Sequence, residues 1–345
     1  MSKTYVSCLT VLAIAASLFS FTSVQAEASP KTFEQWCKQK DSLSDAAKTT
    51  VEALLTEAET QDCKTASDKL TSLEHLSIQS ANITDVEPIA SLTNLTSLRL
   101  FNNEITDVKP LANLQNLTSL TLFSNKVKDI SPLAKLTLLT YLNLRNTEVT
   151  KIDSLINLKS LSFLDLSQNS ITDFTPLEKL KEIQTLSLDG LKIRNLGSIV
   201  DRIAGLPNLT VLSLADNQIS DVKPLSKLTK LVLLDLDSNQ ITDVKPLATL
   251  TSLGTLGLGN NKITDVKPLA ALTSLPDLRL NNNKIIDVSP LASLVKLESL
   301  DLSGNPSPSL KPLSGLKSLT YLRLSETKFK PTDCPVKPAS ICSFE

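Results

Sequence analysis

The chain has 345 residues, and its 35 lysines and arginines almost balance its 36 aspartates and glutamates. A protein that binds nucleic acid or an anionic membrane usually carries a basic surplus, so we expect neither partner here. The single histidine, His75, argues against catalysis by a histidine base and against a histidine-rich metal site. We therefore predict no catalytic residues, no metal site and no cofactor.

The first 26 residues have the composition of a secretory signal peptide. Lys3 provides a positive charge, residues 6–21 form an apolar run without charges, and Val24 and Ala26 offer the small residues of a cleavage site. A transmembrane anchor is the alternative, but the apolar run is shorter than the ~20 residues that a spanning helix needs. The sequence thus predicts that residues 1–26 are removed and that the mature protein, which has no membrane-spanning segment, is secreted or periplasmic.

Residues 27–70 differ in composition from the rest of the chain and predict a helical cap. Leu54, Leu55 and Ala58 have helical spacing and would share one apolar face, while Ser44 stands where a helix N-cap is expected. Arrays of stacked repeats expose an apolar cross-section at each end and need such caps.

From residue 71 the sequence is periodic. Leucines recur every 22 residues. An irregular repeat over residues 183–208 interrupts this period, which then continues unchanged. The stretch "LTSLRLFNNEI" at 95–105 fits the template L-x-x-L-x-L-x-x-N-x-I of a leucine-rich repeat, and eleven full repeats and a partial one occupy residues 71–324. The period therefore predicts an α/β solenoid, a horseshoe with a parallel β-sheet on its concave side and short 3-10 or turn segments on its convex side.

Each position of the repeat has a structural role. Leu98 and Leu100 alternate with Arg99 along a strand, so both leucines point inward and leave the residues between and beside them on the exposed sheet face. Asn103 belongs to a column of asparagines that turn the chain inward and pair with backbone groups of the bend. Asp107, in "ITDVKPL", can cap the short convex turn that follows.

The wording of the repeat resembles one class of bacterial proteins. The 22-residue period and phrases such as "ITDVEPIASLTNL" at 83–95 are similar to the internalin-type leucine-rich repeats. The resemblance extends over residues 70–324. It implies an exported protein whose concave sheet binds a host protein or another macromolecule.

One repeat departs from the period. From Ile183 to Leu209 there are 26 residues instead of 22, and "LGSIVDRIAGL" replaces the usual convex sequence. Leu196, Ile199 and Ile203 in this stretch have helical spacing. The insertion predicts either one longer convex helix, or a ledge for a partner or a joint between two half-arrays. Repeat arrays often tolerate insertions on one face, which favours the longer helix.

Removal of the signal peptide leaves four cysteines, two at each end of the mature chain. Four cysteines allow three pairings. The solenoid separates its two ends by tens of ångströms, whereas a disulfide requires Cα atoms within about 7 Å. The sequence therefore predicts a Cys37–Cys63 disulfide in the N-terminal cap, and a Cys334–Cys342 disulfide in a C-terminal cap over residues 325–345.

Several exposed strand positions carry aromatic residues that folding does not require. Exposed aromatic side chains beside arginines are the usual composition of an interaction hot spot. The alternative is that these aromatics only stabilise the sheet through cross-strand pairing, at ~0.2–1 kcal/mol each. We predict that Phe101 stacks on Phe123. The predicted ligand-binding residues are Arg99, Phe101, Phe123, Tyr141, Arg145 and Phe163.

Carboxylates follow the aromatic positions in the middle repeats. Converging carboxylates could hold Ca²⁺ or a basic partner. Their spacing is irregular and no calcium-loop motif accompanies them, so the sequence favours a solvated acidic face. The residues of this acidic zone are Asp165, Asp189, Asp216, Asp235 and Asp237.

Motifs of catalysis do not occur in the sequence, which has no glycine-rich phosphate loop, nucleophile elbow or metal cluster. The sequence therefore predicts an exported, monomeric, non-catalytic recognition module that binds a protein, peptide or glycan on its concave face. The alternative is a structural or envelope repeat protein without a specific ligand.

Overall fold

The computed structural model describes residues 31–306 and 309–344. The predicted signal peptide, residues 1–26, lies outside the described residues. Three-residue strands alternate with short helical turns through the described repeats, which gives the predicted leucine-rich repeat solenoid. No helix in the described part of the chain is long and apolar enough to cross a membrane.

The helical N-terminal cap consists of three helices, α1 (Phe33–Lys38), α2 (Asp45–Glu57) and α3 (Cys63–Thr71). The Ser44 hydroxyl accepts a hydrogen bond from a backbone N–H in the first turn of α2, so this residue is the N-cap that the sequence predicts. The predicted disulfide between Cys37 and Cys63 joins α1 to α3, with its Cα atoms 5.5 Å apart.

One sheet of thirteen parallel strands runs through the described residues, and each strand pairs with the next along the chain. The last strand, β13 (Cys342–Ser343), comes from the C-terminal cap, where the predicted Cys334–Cys342 disulfide also lies. The other twelve belong to the repeats: β1 (His75–Ser77), β2 (Ser97–Arg99), β3 (Ser119–Thr121), β4 (Tyr141–Asn143), β5 (Phe163–Asp165), β6 (Thr185–Ser187), β7 (Val211–Ser213), β8 (Leu233–Asp235), β9 (Thr255–Gly257), β10 (Asp277–Arg279), β11 (Ser299–Asp301) and β12 (Tyr321–Arg323).

The convex side consists mostly of short 3-10 turns. Many of these turns follow an aspartate whose carboxylate accepts the N–H two residues later, at 2.8 Å, so this column caps the turns as expected. The capping residues are Asp85, Asp107, Asp129, Asp173, Asp221, Asp243, Asp265 and Asp287. The turns themselves are Glu87–Ile89, Lys109–Asn113, Ser131–Lys135, Asp153–Asn157, Thr175–Lys179, Lys223–Lys227, Lys245–Thr249, Lys267–Ala271, Ser289–Ser293 and Lys311–Gly315.

The irregular repeat contributes the one α-helix found on the described convex side, α4 (Gly197–Ile203). Ile199, Val200 and Ile203 are buried against the solenoid core. An ion pair of 2.7 Å between Asp201 and a lysine of the next convex turn ties the helix to its neighbour. The insertion is thus packed into the array as a longer convex helix.

The core is a continuous column of buried aliphatic side chains, closed on one side by the asparagine column. The Asn103 amide donates to the carbonyls of Ile78 and Leu100, and its carbonyl accepts from the N–H groups of Ala81 and Ile83. Each asparagine therefore satisfies buried backbone groups of two successive coils, which explains why the residue recurs in almost every repeat.

Candidate binding face on the concave sheet

The exposed face of the sheet is built from three columns of side chains. In β2, Ser97 and Arg99 point outward on either side of the buried Leu98, and Phe101 follows beyond the buried Leu100. Because the parallel strands pair in register, equivalent residues of successive repeats lie side by side, about 4.8 Å apart. We call the positions of Ser97, Arg99 and Phe101 the first, second and third columns.

Two aromatic pairs lie on this face over β2 to β5 and form what we call the aromatic patch. Phe101 stacks on Phe123 in the third column, with ring centroids 4.6 Å apart and ring planes inclined by 12°. Tyr141 stacks on Phe163 in the first column, at 4.2 Å and 8°. All four side chains are only half-buried, so each keeps exposed ring surface. The stacking that the sequence predicts for Phe101 and Phe123 is therefore present.

A depression of about 390 Å³ opens between the two aromatic pairs. The small side chains of Ser119 and Thr121 leave this space free. Four of the six predicted ligand-binding residues line the depression, whereas Arg145 and Phe163 lie on the same sheet face but outside its lining. The lining residues are Arg99, Phe101, Ser119, Thr121, Phe123, Tyr141 and Asn143.

Backbone N–H groups of the third column differ between repeats in whether they have an acceptor. In seven repeats a side-chain oxygen on the concave face accepts this N–H, at 2.7–3.1 Å. The N–H groups of Phe101 and Phe123 make no hydrogen bond to any described residue. The sequence contained part of the signal for this difference, because in four repeats an Asp or Asn two residues before the third column accepts the N–H, whereas Arg99 and Thr121 stand at that place here.

The acidic zone is largely engaged within the protein. Asp165 is only 7% exposed, and its carboxylate accepts the N–H of Ser167, so the solvated face expected from the sequence is wrong at this residue. The Asp189 carboxylate accepts from the Ser213 hydroxyl at 2.5 Å and from the Ala215 N–H at 2.9 Å. Burial raises the pKa of Asp189, and these two hydrogen bonds oppose that rise.

Arg279 neutralises the other end of the acidic zone. Its guanidinium lies 2.7 Å from the Asp235 carboxylate and 3.3 Å from the Asp237 carboxylate. It reaches them across β9, where Gly257 has no side chain; a Cβ at this position would collide with the guanidinium. Within residues 31–306 and 309–344, no group of three or more His, Cys, Asp or Glu side chains is arranged to hold a metal ion.

The Asp237 carboxylate is expected to make stability depend on pH. Burial, together with the neighbouring Asp235 carboxylate, raises the pKa of Asp237 to about 6, against the opposing effect of Arg279. The folded state therefore binds more protons than the unfolded state between pH ~4 and ~6, and this group lowers the free energy of unfolding by about 2 kcal/mol as pH rises through that window. We expect Asp237→Asn to remove this loss.

Urea unfolding at pH 4.5 and pH 7.5 measures the effect of Asp237→Asn. The variant should gain stability relative to the wild type at pH 7.5 and show a clearly smaller gain at pH 4.5, where the effect has only begun. Asp216→Asn is the matched control, because Asp216 is an exposed carboxylate of the same zone. An equal shift at both pH values would contradict the assignment to Asp237.

Comparison with known proteins agrees with this architecture. A family model described as leucine-rich repeats (2 copies) matches residues 71–113, 115–157, 207–249, 230–271 and 273–311. A crystal structure of an internalin, inlF, from Listeria monocytogenes is 32% identical to this chain. The match covers 86% of this chain and 94% of the internalin, with a TM-score of 0.70. The chain belongs to the internalin-type leucine-rich repeat proteins.

Other solved structures share the fold. The functional domain of InlJ from Listeria monocytogenes has the same fold at 22% identity, with a TM-score of 0.58 over 89% of this chain and 74% of that domain. A plant peptide hormone receptor, solved in complex with RGF2, is 26% identical over 74% of this chain and 49% of the receptor, with a TM-score of 0.50. No curated protein matches the sequence of this internalin-type chain. Because leucine-rich repeat relatives bind ligands, the comparison supports the interpretation of this chain as a protein-binding repeat module.

Proposed function

We propose that this internalin-type protein is an exported, non-catalytic recognition module that binds a protein or peptide partner at the aromatic patch. The observation that carries the proposal is the pair of aromatic stacks, Phe101 with Phe123 and Tyr141 with Phe163, on the exposed face of the sheet. Exposed aromatic surface next to arginine is the composition of interaction hot spots.

The repeat fold does not require aromatic side chains at these positions. Ser97 and Ser119 occupy the first column in the repeats just before Tyr141, and Thr185 occupies it just after Phe163, in strands of the same length and register. The fold is thus built equally well with small polar residues at these positions. Cross-strand pairing contributes only ~0.2–1 kcal/mol for each aromatic pair.

The exposed ring surface of the aromatic patch suits the side chains of a polypeptide. The inner ring faces of both pairs are turned toward each other, at 4.6 and 4.2 Å, and are closed to a ligand. A partner therefore meets ring edges, outer faces and the depression between the pairs, which suits the branched and aromatic side chains of a polypeptide.

Export is supported by the two disulfides and by the internalin family. Disulfides form and persist mainly in oxidising compartments, and one lies in each terminal cap. We assign residues 1–26 as a cleaved signal peptide, residues 27–70 and 325–345 as the caps, and residues 71–324 as the repeat array. The mature protein would act as a monomer outside the cytoplasm, in the periplasm or the surrounding medium.

Alanine substitution in the aromatic patch tests the proposed function. Mature wild-type protein is immobilised, a partner is captured from secreted and surface protein fractions, and the purified partner is then titrated against variants. Phe101→Ala combined with Phe123→Ala should weaken its binding at least ~30-fold, because hot-spot aromatics contribute about 2 kcal/mol or more. The melting temperature should change little, because both side chains are half-buried.

Tyr321→Ala is the matched control. Tyr321 is an aromatic residue of the same sheet face, 46% exposed, but it lies on β12 far from the aromatic patch. It should retain wild-type affinity. Unchanged affinity of the Phe101 and Phe123 double variant would overturn the proposed site.

A further inference from the structure

The sheet face around the aromatic patch carries two arginines that pair with no carboxylate. The three columns of β2, β3 and β4 contain Arg99 and Arg145 but no aspartate or glutamate, and the nearest carboxylate in the second column, Asp165 of β5, is buried and accepts the N–H of Ser167. No carboxylate of the described residues lies within 4.0 Å of either guanidinium. The other arginines of this face differ, since Arg279 pairs with two aspartates and Arg323 lies 3.9 Å from the Asp301 carboxylate.

Hydrogen-bond donors without a protein acceptor stand in the same place. The N–H groups of Phe101 and Phe123 lie on adjacent coils, and neither donates to a described residue. Gln79, Asn281 and Ser325 of the third column also lack such an acceptor, but none of them belongs to the aromatic patch. The patch therefore combines two guanidinium groups, two backbone donors and apolar ring surface.

Other repeats of the protein show which chemical group can accept a hydrogen bond from N–H groups at this position. In β5, β8 and β11, a carboxylate of the second column accepts the N–H two residues later, at 2.9 Å. The carboxylates of Asp189 and Asp237 accept the equivalent N–H of the next coil, at 2.9 and 2.7 Å. All these carboxylates stand on the concave face, so an oxygen of a ligand that lies on this face can approach the N–H groups of Phe101 and Phe123 in the same way.

We propose that the partner presents an acidic, apolar polypeptide segment to the aromatic patch. Its carboxylate oxygens accept hydrogen bonds from the N–H groups of Phe101 and Phe123, and Arg99 and Arg145 balance their charge. An apolar side chain of the segment fills the depression of about 390 Å³ between the aromatic pairs. This inference rests on the proposed function and deepens it, because it specifies the chemistry of the partner.

Three libraries of fluorescent seven-residue peptides test the charge preference. All alternate Phe, Leu or Tyr with a polar residue, which is Asp or Glu in the first library, Asn or Gln in the second and Lys in the third. Fluorescence anisotropy with the mature protein should give at least ~10-fold tighter binding of the acidic library, because charge-assisted hydrogen bonds are about twice as strong as neutral ones. Equal binding of all libraries, preference for Lys, or no binding at all would overturn the inference.

A variant that carries its own carboxylate tests the position of the acceptor. Thr121→Asp places the carboxylate two residues before Phe123, as Asp165 stands before Ser167. It should block the N–H of Phe123 and abolish the acidic preference. Ser187→Asp adds the same charge to the second column of β6 and should leave binding of the acidic library unchanged.

A second variant removes the arginine charges. Unlike Thr121→Asp, it does not place a charge at a buried position. Arg99→Gln combined with Arg145→Gln removes both charges but leaves a neutral hydrogen-bonding amide on a shorter side chain, and it should reduce binding of the acidic library to that of the neutral one. An unchanged acidic preference in both this variant and Thr121→Asp would overturn the inference. The proposed function fails separately, when the alanine double variant of Phe101 and Phe123 binds the captured partner as the wild type does.

Discussion

Replacing Asn261 with alanine is expected to lower the free energy of unfolding by at least ~3 kcal/mol, since each buried polar group left unpaired costs about 1–3 kcal/mol. The Asn261 amide donates to the carbonyls of Leu236, Leu258 and Gly259, at 3.0–3.1 Å, and its carbonyl accepts the N–H of Ile241 at 3.0 Å. Alanine removes all four bonds in the middle of the array, where no terminal fraying can relieve the loss.

Two further variants decide whether hydrogen bonding is the cause. Threonine replaces asparagine naturally at Thr147, where its hydroxyl donates to the carbonyl of Leu144. Asn261→Thr should therefore be less destabilised than Asn261→Ala. Lys262→Ala changes the exposed neighbour and should stay within ~0.5 kcal/mol of the wild type. Urea unfolding measures all three, and equal losses for threonine and alanine would contradict the role assigned to the amide.

Removing the disulfide of the N-terminal cap is expected to lower stability by about 3 kcal/mol. The bond between Cys37 and Cys63 closes a loop with a sequence separation of 26 and restricts the unfolded chain accordingly. Cys37→Ala with Cys63→Ala also loosens the helices that cover the first repeats. The cap would then open before the array, because stability in repeat proteins is shared between neighbours.

The C-terminal disulfide is the matched comparison. Cys334 and Cys342 are separated by only 8 positions, so loop-closure entropy predicts a loss about 1 kcal/mol smaller for the corresponding double alanine variant. Thermal unfolding followed by circular dichroism compares the two variants. A larger loss at the C-terminal end would contradict the entropic account and would point instead to the pairing of β13 with β12.

The repeat array could be predicted from the sequence because its cause is local and recurs. Leu98, Leu100 and Asn103 occupy fixed positions that determine the strand, its buried face and the turn, and the same positions return every 22 residues. The thirteenth strand was not predicted. Cys342 and Ser343 pair with β12 without any Leu-x-Leu pattern, since the cap only continues an existing sheet edge.

Part of the candidate site could also be predicted. Alternation along a strand places Phe101 and Phe123 on the exposed face, and the common register places them side by side, so their stacking followed from spacing alone. Contacts that span several strands could not be predicted in this way. The bridge from Arg279 to Asp235 depends on the missing side chain of Gly257 on the strand between them.

Residue-level hydrogen exchange of the mature protein, free and bound to its captured partner, tests the central claim most directly. In the free protein the amides of Phe101 and Phe123 should exchange rapidly, because they have no acceptor among the described residues, whereas the amide of Arg145, bonded to Asn143, should exchange more slowly. Binding should protect the amides of Phe101 and Phe123. Protection confined to the convex side, for example to α4, with both amides unchanged, would contradict binding at the aromatic patch.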